Sequence, residues 1–456
     1  MPDGLGLAEV RGAVRALAAR HEALRSRLVS GQDGTLRQEV APEVDPPVVA
    51  ESTLLVPPEE AAMRCSVRMA GSQPVAVVLA VSHVFCDAWG RQLLNHDLRR
   101  LLAGDPLSPP SAQASAYARG PEHPRVVANT EFWQSRLAGV PRSCTYAAVA
   151  RDEYEKADVA RVPLPDELIR LLAAGGRALR VTPTALWAAA VSVLAGRASG
   201  QHRQVFRTTY ANRCTRADQS VVTQLAQAVF VPVEGVATET LRERAVGIAA
   251  SLVGSYDRGE HDVNGLLSWL NQAQRRHGVE FCPAFELNFV PRVHVEGTTP
   301  RPAAAEVDVR VDPPSAKADL VVTVANNPAP AVEVTARRPV RDQRPAARLA
   351  ADCLTVVRLL CTEPDRRVAD VPVAPFGAVE TLVFGHRSGI GIDLDQTRRL
   401  IESVDGVESC TVALTPDGRL RATVRSDRPP SALRSALYDR QPWLTATAVP
   451  DDLHTS

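Results

Sequence analysis

The stretch whose reading decides the fold is Val75-Ala76-Val77-Val78-Leu79-Ala80-Val81-Ser82, running directly into His83-Val84-Phe85-Cys86-Asp87-Ala88-Trp89-Gly90. A continuous, largely β-branched apolar run reads as a strand buried on both faces. The polar loop then sets a histidine at the strand's end, and Leu93, Leu94, Leu98, Leu101 and Leu102 mark a helix beyond it. An unperturbed imidazole titrates at about pH 6.5, so such a side chain can exchange a proton near neutrality. Asp87, four residues on, supplies a carboxylate that can fix the loop or pair with an arginine and so hold the imidazole. Spacing alone is weak evidence, because a histidine near an aspartate is more often a loop-capping pair than a catalytic one.

Working outward, Leu7, Val10, Val14, Leu17, His21, Leu24 and Leu28 step by three or four and predict a helix over 7–28, with Arg11, Arg15, Arg20 and Arg27 on its other face. Residues 35–56 read as irregular, with strand-like pieces such as Pro47-Val48-Val49. The Pro/Ser/Ala-rich stretch 104–128 reads as a linker, 131–137 as a short helix, and 151–158 as an exposed charged segment. Thr182-Pro183 is an N-cap followed by proline at the first helical position, opening a helix through Leu194. Further helices are expected at 165–172, 241–256 and 346–360, and strands at 205–210, 228–233, 285–290, 306–311, 319–325 and 331–336. Strands mixed with helices in both halves predict an α/β or α+β protein of two lobes. Val371-Pro372-Val373-Ala374-Pro375 marks a boundary before a small C-terminal region: helix 395–403, strand 409–414, an Asp417-Gly418 turn and strand 419–425. The expected domains are therefore 1–158, 159–373 and 376–456.

The chain has 456 residues, with Lys+Arg 52 balanced by Asp+Glu 52. Zero net charge argues against a nucleic-acid or anionic-membrane surface, where neutralising phosphates needs a basic excess. Only Lys156 and Lys317 are lysines, which reads as the codon bias of a GC-rich genome. The eight cysteines form no CxxC pair, so neither a zinc ribbon nor a dithiol motif is supported and no metal site is expected. No stretch approaches the ~18 apolar residues of a membrane span, and the first residues hold no long apolar signal region. The expectation is a neutral globular protein of a reducing, cytoplasmic compartment.

The segment Ser82 to Gly90 resembles the HHxxxDG motif of nonribosomal peptide synthetase condensation domains, within the chloramphenicol-acetyltransferase-like superfamily. His83 matches the second histidine and Asp87 the aspartate, while Ser82 replaces the first histidine and Ala88 the glycine. Other segments follow in the family's order. Arg20-His21-Glu22-Ala23-Leu24-Arg25-Ser26-Arg27-Leu28 is similar to its RHExLRTxF helix end. Val181 to Leu186 is similar to a second-lobe helix start, and Tyr210-Ala211-Asn212-Arg213 to a strand-end segment. Phe285 to Phe289 and Asp319 to Val322 resemble late strands of that lobe. The resemblance spans roughly residues 7–373. Two departures stand out: the usual SxAQxR strand before the RHE helix has only Met1 to Leu7 in its place, and Thr223 to Val229 is a degraded form of the usual GxFVN motif.

The resemblance implies two chloramphenicol-acetyltransferase-like lobes forming a V, with a tunnel between them that holds His83. It implies no bound cofactor. The donor acyl or aminoacyl group would arrive as a thioester on the phosphopantetheine of an acyl or peptidyl carrier protein, and a small-molecule amine would attack it. His83 is the implied catalytic residue, taking the amine proton or holding the amine in attack geometry. Asp87 is implied to be structural and paired with an arginine, Arg25 first and Arg20 second. Ser82, Trp89 and Gly90 are the expected substrate-facing residues. Trp89 would line the acceptor side, core packing being its alternative role, and the Gly90 N–H would face a developing oxyanion. Two other functions fit the same resemblance: ester formation with an alcohol acceptor, and a non-catalytic module that recruits a carrier protein or partner enzyme. Gly385 to Asp395 with Ile401 to Val407 resembles the small C-terminal subdomain of adenylation domains. That subdomain uses a lysine in adenylation, and this chain has none after Lys317, so 376–456 is expected to be a relic or docking appendage without ATP chemistry.

Overall fold

The computed structural model describes residues 4–32, 35–49, 57–139, 146, 157–290, 318–325, 329–342, 344–374, 382–383, 385–386, 391–441 and 446–456. The expected strand at 306–311 and most of the charged segment 151–158 lie outside these residues. The chain forms two compact units, each with its own apolar core. The first comprises Met1–Gly120 and Tyr210–Gln227, so it ends earlier than the expected boundary at 158 and takes a segment from the second half.

In the first unit the opening helix is Leu7–Arg20, with Val10, Val14 and Leu17 buried. It stops at His21, not at 28. His21 is extended, and its Nε2 lies 2.9 Å from the Asp97 carboxylate on another helix, which draws the chain out of helical register. Glu22–Arg25 makes a single 3-10 turn, and Ser26–Ser30 is a strand paired antiparallel with Leu36–Val40. Leu24 thus enters the core from the 3-10 turn, and Leu28 packs against the core from the hairpin.

The deciding stretch forms the strand Gln73–Val81, paired antiparallel with Met63–Ala70. It is not buried on both faces: Val75 is 48% exposed. Val77, Leu79 and Val81, on one face at period two, pack on the core, while Ala76, Val78 and Ala80 on the other remain half-buried. After the loop, Asp87 caps the helix Ala88–Leu102, whose Leu93, Leu94, Leu98 and Leu102 are buried.

The second unit is built on a six-stranded sheet in the order Asp158–Pro163, Ala331–Ala336, Leu320–Ala325, Glu286–Val290, Arg203–Tyr210, Gln227–Glu234. The first three strands are antiparallel neighbours; Glu286–Val290 runs parallel to those on either side of it. The helix Pro183–Ser199 is buried on nearly every side, capped by the Thr182 hydroxyl at one end and by left-handed Gly200 at the other. Expected helices prove longer: Asp166–Leu179, and Pro124–Ala138 in place of 131–137. The latter consumes the end of the expected linker. The helix Val263–His277 has no counterpart in the sequence reading. No single helix among the described residues is long and apolar enough to cross a membrane.

The C-terminal region carries the expected helix, Leu394–Glu402, and hairpin, Val407–Leu414 with Leu420–Ser426. A further strand, Asp452–Thr455, joins the hairpin in parallel, and the helix Pro430–Arg440 packs on the same small core. This region is not detached from the second unit. Val279 shares a buried cluster with Ile392, Leu420 and Ala448, and the Val449 N–H donates to the Gly278 carbonyl at 2.6 Å.

Candidate active site

His83 sits in the turn that follows the strand Gln73–Val81, closed by the Phe85 N–H donating to the Ser82 carbonyl at 3.0 Å. The turn throws the imidazole outward, and His83 is exposed. Its Nδ1 lies 3.1 Å from Gln224 Oε1. The Gln224 amide nitrogen donates to the Ala226 carbonyl at 2.7 Å. That bond orients the amide, since a flipped amide would set two carbonyl oxygens against each other. The atom facing His83 is therefore an acceptor only, and Nδ1 must carry the hydrogen. Nε2 has no hydrogen-bond partner among the described residues, so the neutral imidazole presents a free lone pair at Nε2.

Asp87 is 2% exposed and does not touch His83. Its Oδ1 accepts from the Gly90 N–H at 2.7 Å, capping the helix. Its Oδ2 accepts from the Leu225 and Ala226 N–H groups, each at 3.2 Å. Both oxygens accept from Arg213 Nη2 at 2.9 Å. Arg213 also donates through Nη1 to the Val221 carbonyl at 2.8 Å and through Nη2 to the Thr223 carbonyl at 3.1 Å. The preceding Asn212 adopts left-handed backbone, φ 52°, and its side-chain amide donates to the Leu225 carbonyl at 2.8 Å. Leu225 is thus held at both its N–H and its carbonyl, one residue from the glutamine on His83.

This geometry corrects the expected arginine partner. Arg25 donates to the Ala41 carbonyl, whose N–H returns to the Arg25 carbonyl at 2.9 Å, so it is spent on the first hairpin. Arg20, the second candidate, pairs with Asp97 at 2.7 Å. The aspartate's partner is Arg213, which the sequence reading quoted in the Tyr210–Arg213 segment without giving it this role. Gln224 was missed because it lies in the stretch read as degraded. The expectation for Gly90 is also overturned: its N–H already donates to Asp87 and is not free for an oxyanion. Trp89 is half-buried; its indole N–H donates to the Gln219 carbonyl at 3.0 Å, and its ring lies 5.7 Å from the Arg213 guanidinium. It braces the segment 213–220, which includes the short helix Arg216–Ser220. The Ser82 N–H donates to the Ala62 carbonyl at 2.9 Å, continuing the strand pairing.

Below the loop, burial and then the neighbouring Asp87 charge push the Cys86 thiol up to about 12, so it is a packing group and not a nucleophile. Among the described residues no cluster of His, Cys, Asp or Glu is placed to hold a metal ion. The chemistry on offer is that of one exposed imidazole on a rigid mount, able to accept a proton at Nε2 and return it.

The fold that carries this site is that of the condensation domains. The condensation domain of the monacolin K polyketide synthase MokA superposes with a TM-score of 0.65 at 16% identity, over 81% of this chain and 92% of that one. SgcC5 from Streptomyces globisporus, solved with (R)-(-)-1-(2-naphthyl)-1,2-ethanediol and sucrose, gives 0.60 at 20% identity, over 80% and 91%. The X-domain from teicoplanin biosynthesis gives 0.61 at 18% identity, over 81% and 90%. Neither a protein-family model nor a curated protein matches the sequence. At these identities the likeness establishes the fold.

Proposed function

We propose that the protein is a condensation-type acyltransferase that joins a carrier-bound acyl or aminoacyl thioester to an amine. The observation that carries this reading is His83: exposed, fixed at Nδ1 and open at Nε2, on a loop anchored by a buried ion pair, in a chain with the condensation-domain fold. In the reaction the amine nitrogen attacks the thioester carbonyl and forms the C–N bond. The amine proton passes to His83 Nε2, the C–S bond breaks, and the pantetheine sulfur leaves and regains the proton from the imidazolium. An amide and a free thiol result. The thioester is already activated, so much of the acceleration comes from orientation, worth up to about 7–11 kcal/mol, and general-base help adds about 10²–10⁴-fold.

The test is a loaded carrier protein mixed with candidate amines, read by mass spectrometry, with His83→Ala in parallel. His83→Ala should lower the rate by about 10²-fold or more. Full turnover in that variant would make His83 a spectator. Two related readings have support of their own. SgcC5 was solved with a diol, which favours including alcohols among the acceptors, ester formation being the outcome. The teicoplanin X-domain was solved in complex with OxyB, so a chain of this fold can dock a second protein. A wild type that turns over no donor on its own pathway's carrier would favour such a recruiting role.

A further inference from the structure

We infer that Gln224 is a positioning residue that locks His83 in the Nδ1–H tautomer, and that Asp87 acts on His83 through the segment carrying Gln224. The inference rests on the proposed acyl transfer for its kinetic consequence but not for its structural content. The argument is a chain of hydrogen bonds. The Ala226 carbonyl fixes the Gln224 amide so that Oε1 faces the imidazole, and Oε1 can only accept. Asp87 holds the N–H groups of Leu225 and Ala226, and Asn212 holds the Leu225 carbonyl, so the peptides next to Gln224 cannot turn it away. His83 touches Gln224, Gln224 is held by the loop segment 224–226 that precedes the strand Gln227–Glu234, and that segment hangs on the buried carboxylate. No direct contact between Asp87 and His83 is needed.

The consequence is specific. A free histidine side chain ordinarily prefers its hydrogen on Nε2, which would point a donor, not a base, at the acceptor. A hydrogen-bond acceptor at Nδ1 reverses that preference. Holding a catalytic imidazole in the wrong tautomer is known to cost serine proteases about 10⁴-fold in turnover. The part of the sequence that departs from the GxFVN pattern therefore supplies the residue that makes His83 usable.

The experiment is long-range proton–nitrogen NMR on the full chain labelled with ¹⁵N-histidine, the His83 signals being assigned by their loss in His83→Ala. In the neutral imidazole of the wild type, Nδ1 should show the proton-bearing shift and Nε2 the free one. Gln224→Met, which keeps length but removes the acceptor, should shift His83 toward the Nε2–H form. Gln224→Glu, which keeps an acceptor, should retain Nδ1–H and guards against a Met variant that fails to fold. In the carrier-protein assay Gln224→Met should lower kcat by about 10²-fold, the low end of general-base loss, with KM for the loaded carrier unchanged. A wild-type Nε2–H tautomer, or one that Gln224→Met leaves unmoved, overturns the inference whether or not acyl transfer is found. The expected tautomers together with full turnover in Gln224→Met overturn the positioning role. A wild type without acyl transfer but with the expected tautomers refutes the proposed function and leaves the Gln224–His83 relationship standing.

Discussion

Arg213 and Asp87 stand 126 residues apart in the chain and form an ion pair in which one guanidinium nitrogen reaches both carboxylate oxygens at 2.9 Å, each side chain 1% exposed. Removing one partner leaves the other's charge buried without its counter-ion, held only by backbone hydrogen bonds. Asp87→Ala and Arg213→Met should each cost about 3–5 kcal/mol in stability. The double variant Asp87→Ala with Arg213→Met should cost clearly less than the two singles added together. Urea unfolding monitored by Trp fluorescence measures all three. A single variant with an unchanged midpoint would show that the pair does not anchor the loop.

Buried thiols set an alkaline limit. Burial raises Cys86 and Cys353 from 9.0 to about 12 and Cys410 from 9.0 to about 11, each helped by a nearby carboxylate. Because the folded-state values are raised, the unfolded chain releases these protons first as pH rises. The stability they contribute is fully present below about 9 and declines from there to 11 or 12. The two deeply buried thiols, Cys86 and Cys353, each add a slope of about 1.4 kcal/mol per pH unit within their window. Cys86→Ala should flatten the decline of the unfolding midpoint above pH 9. An unaltered slope in that variant would refute the assignment.

What the sequence made legible follows from which forces are local. The run from Val75 to Gly90 carried its strand and the histidine in the loop at the strand's end in contiguous residues. Thr182 with Pro183 announced a helix start that the hydroxyl's bond to the Ala185 N–H bears out. What stayed hidden depends on distant partners. Arg213 is indistinguishable from dozens of other arginines until the chain brings it to Asp87. The helix Pro124–Ala138 was underread because its buried face includes Asn129 and Thr130, which are polar. They serve there because Asn129 donates to the Glu260 carbonyl and Thr130 accepts from the Asp262 N–H. His21 kept the helical spacing while Asp97 took it out of the helix.

The C-terminal region should not bind ATP. A group that neutralises an adenylate must be free to approach it, and an arginine differs from a lysine in geometry and hydration. Among the described residues, arginines of this region are already engaged. Arg398 donates to Asp395 and Glu402 at 2.7 and 2.6 Å, Arg425 to Glu408 at 2.8 Å, and Arg434 to the Pro450 carbonyl at 2.7 Å. Calorimetric titration of the full chain with Mg·ATP should show no binding heat at micromolar concentrations. A saturable isotherm there would restore nucleotide chemistry to this segment.

The same region should behave as part of the second unit, and Gly278 is the place to test it. This residue ends the helix Val263–His277 in left-handed backbone, φ +66°, where a non-glycine residue costs about 1–2 kcal/mol. A Cβ added there would meet the Val449 carbonyl oxygen at 2.1 Å, a contact no rotamer relieves because both atoms are backbone-fixed. The Val449 N–H bond to the Gly278 carbonyl would be forced apart, and the cluster of Val279, Ile392, Leu420 and Ala448 beside it would open. Gly278→Ala should therefore do more than lower the melting temperature. It should speed amide hydrogen exchange in residues 446–456 and around Leu420, while the strand Gln73–Val81 and the Asp87 loop exchange as in the wild type. Gln441→Ala, which removes the acceptor of the Glu280 N–H at 3.2 Å, should loosen the same segment less, since no backbone is displaced. Unchanged exchange at 446–456 in Gly278→Ala would mean the appendage is held by other contacts and that this junction is incidental.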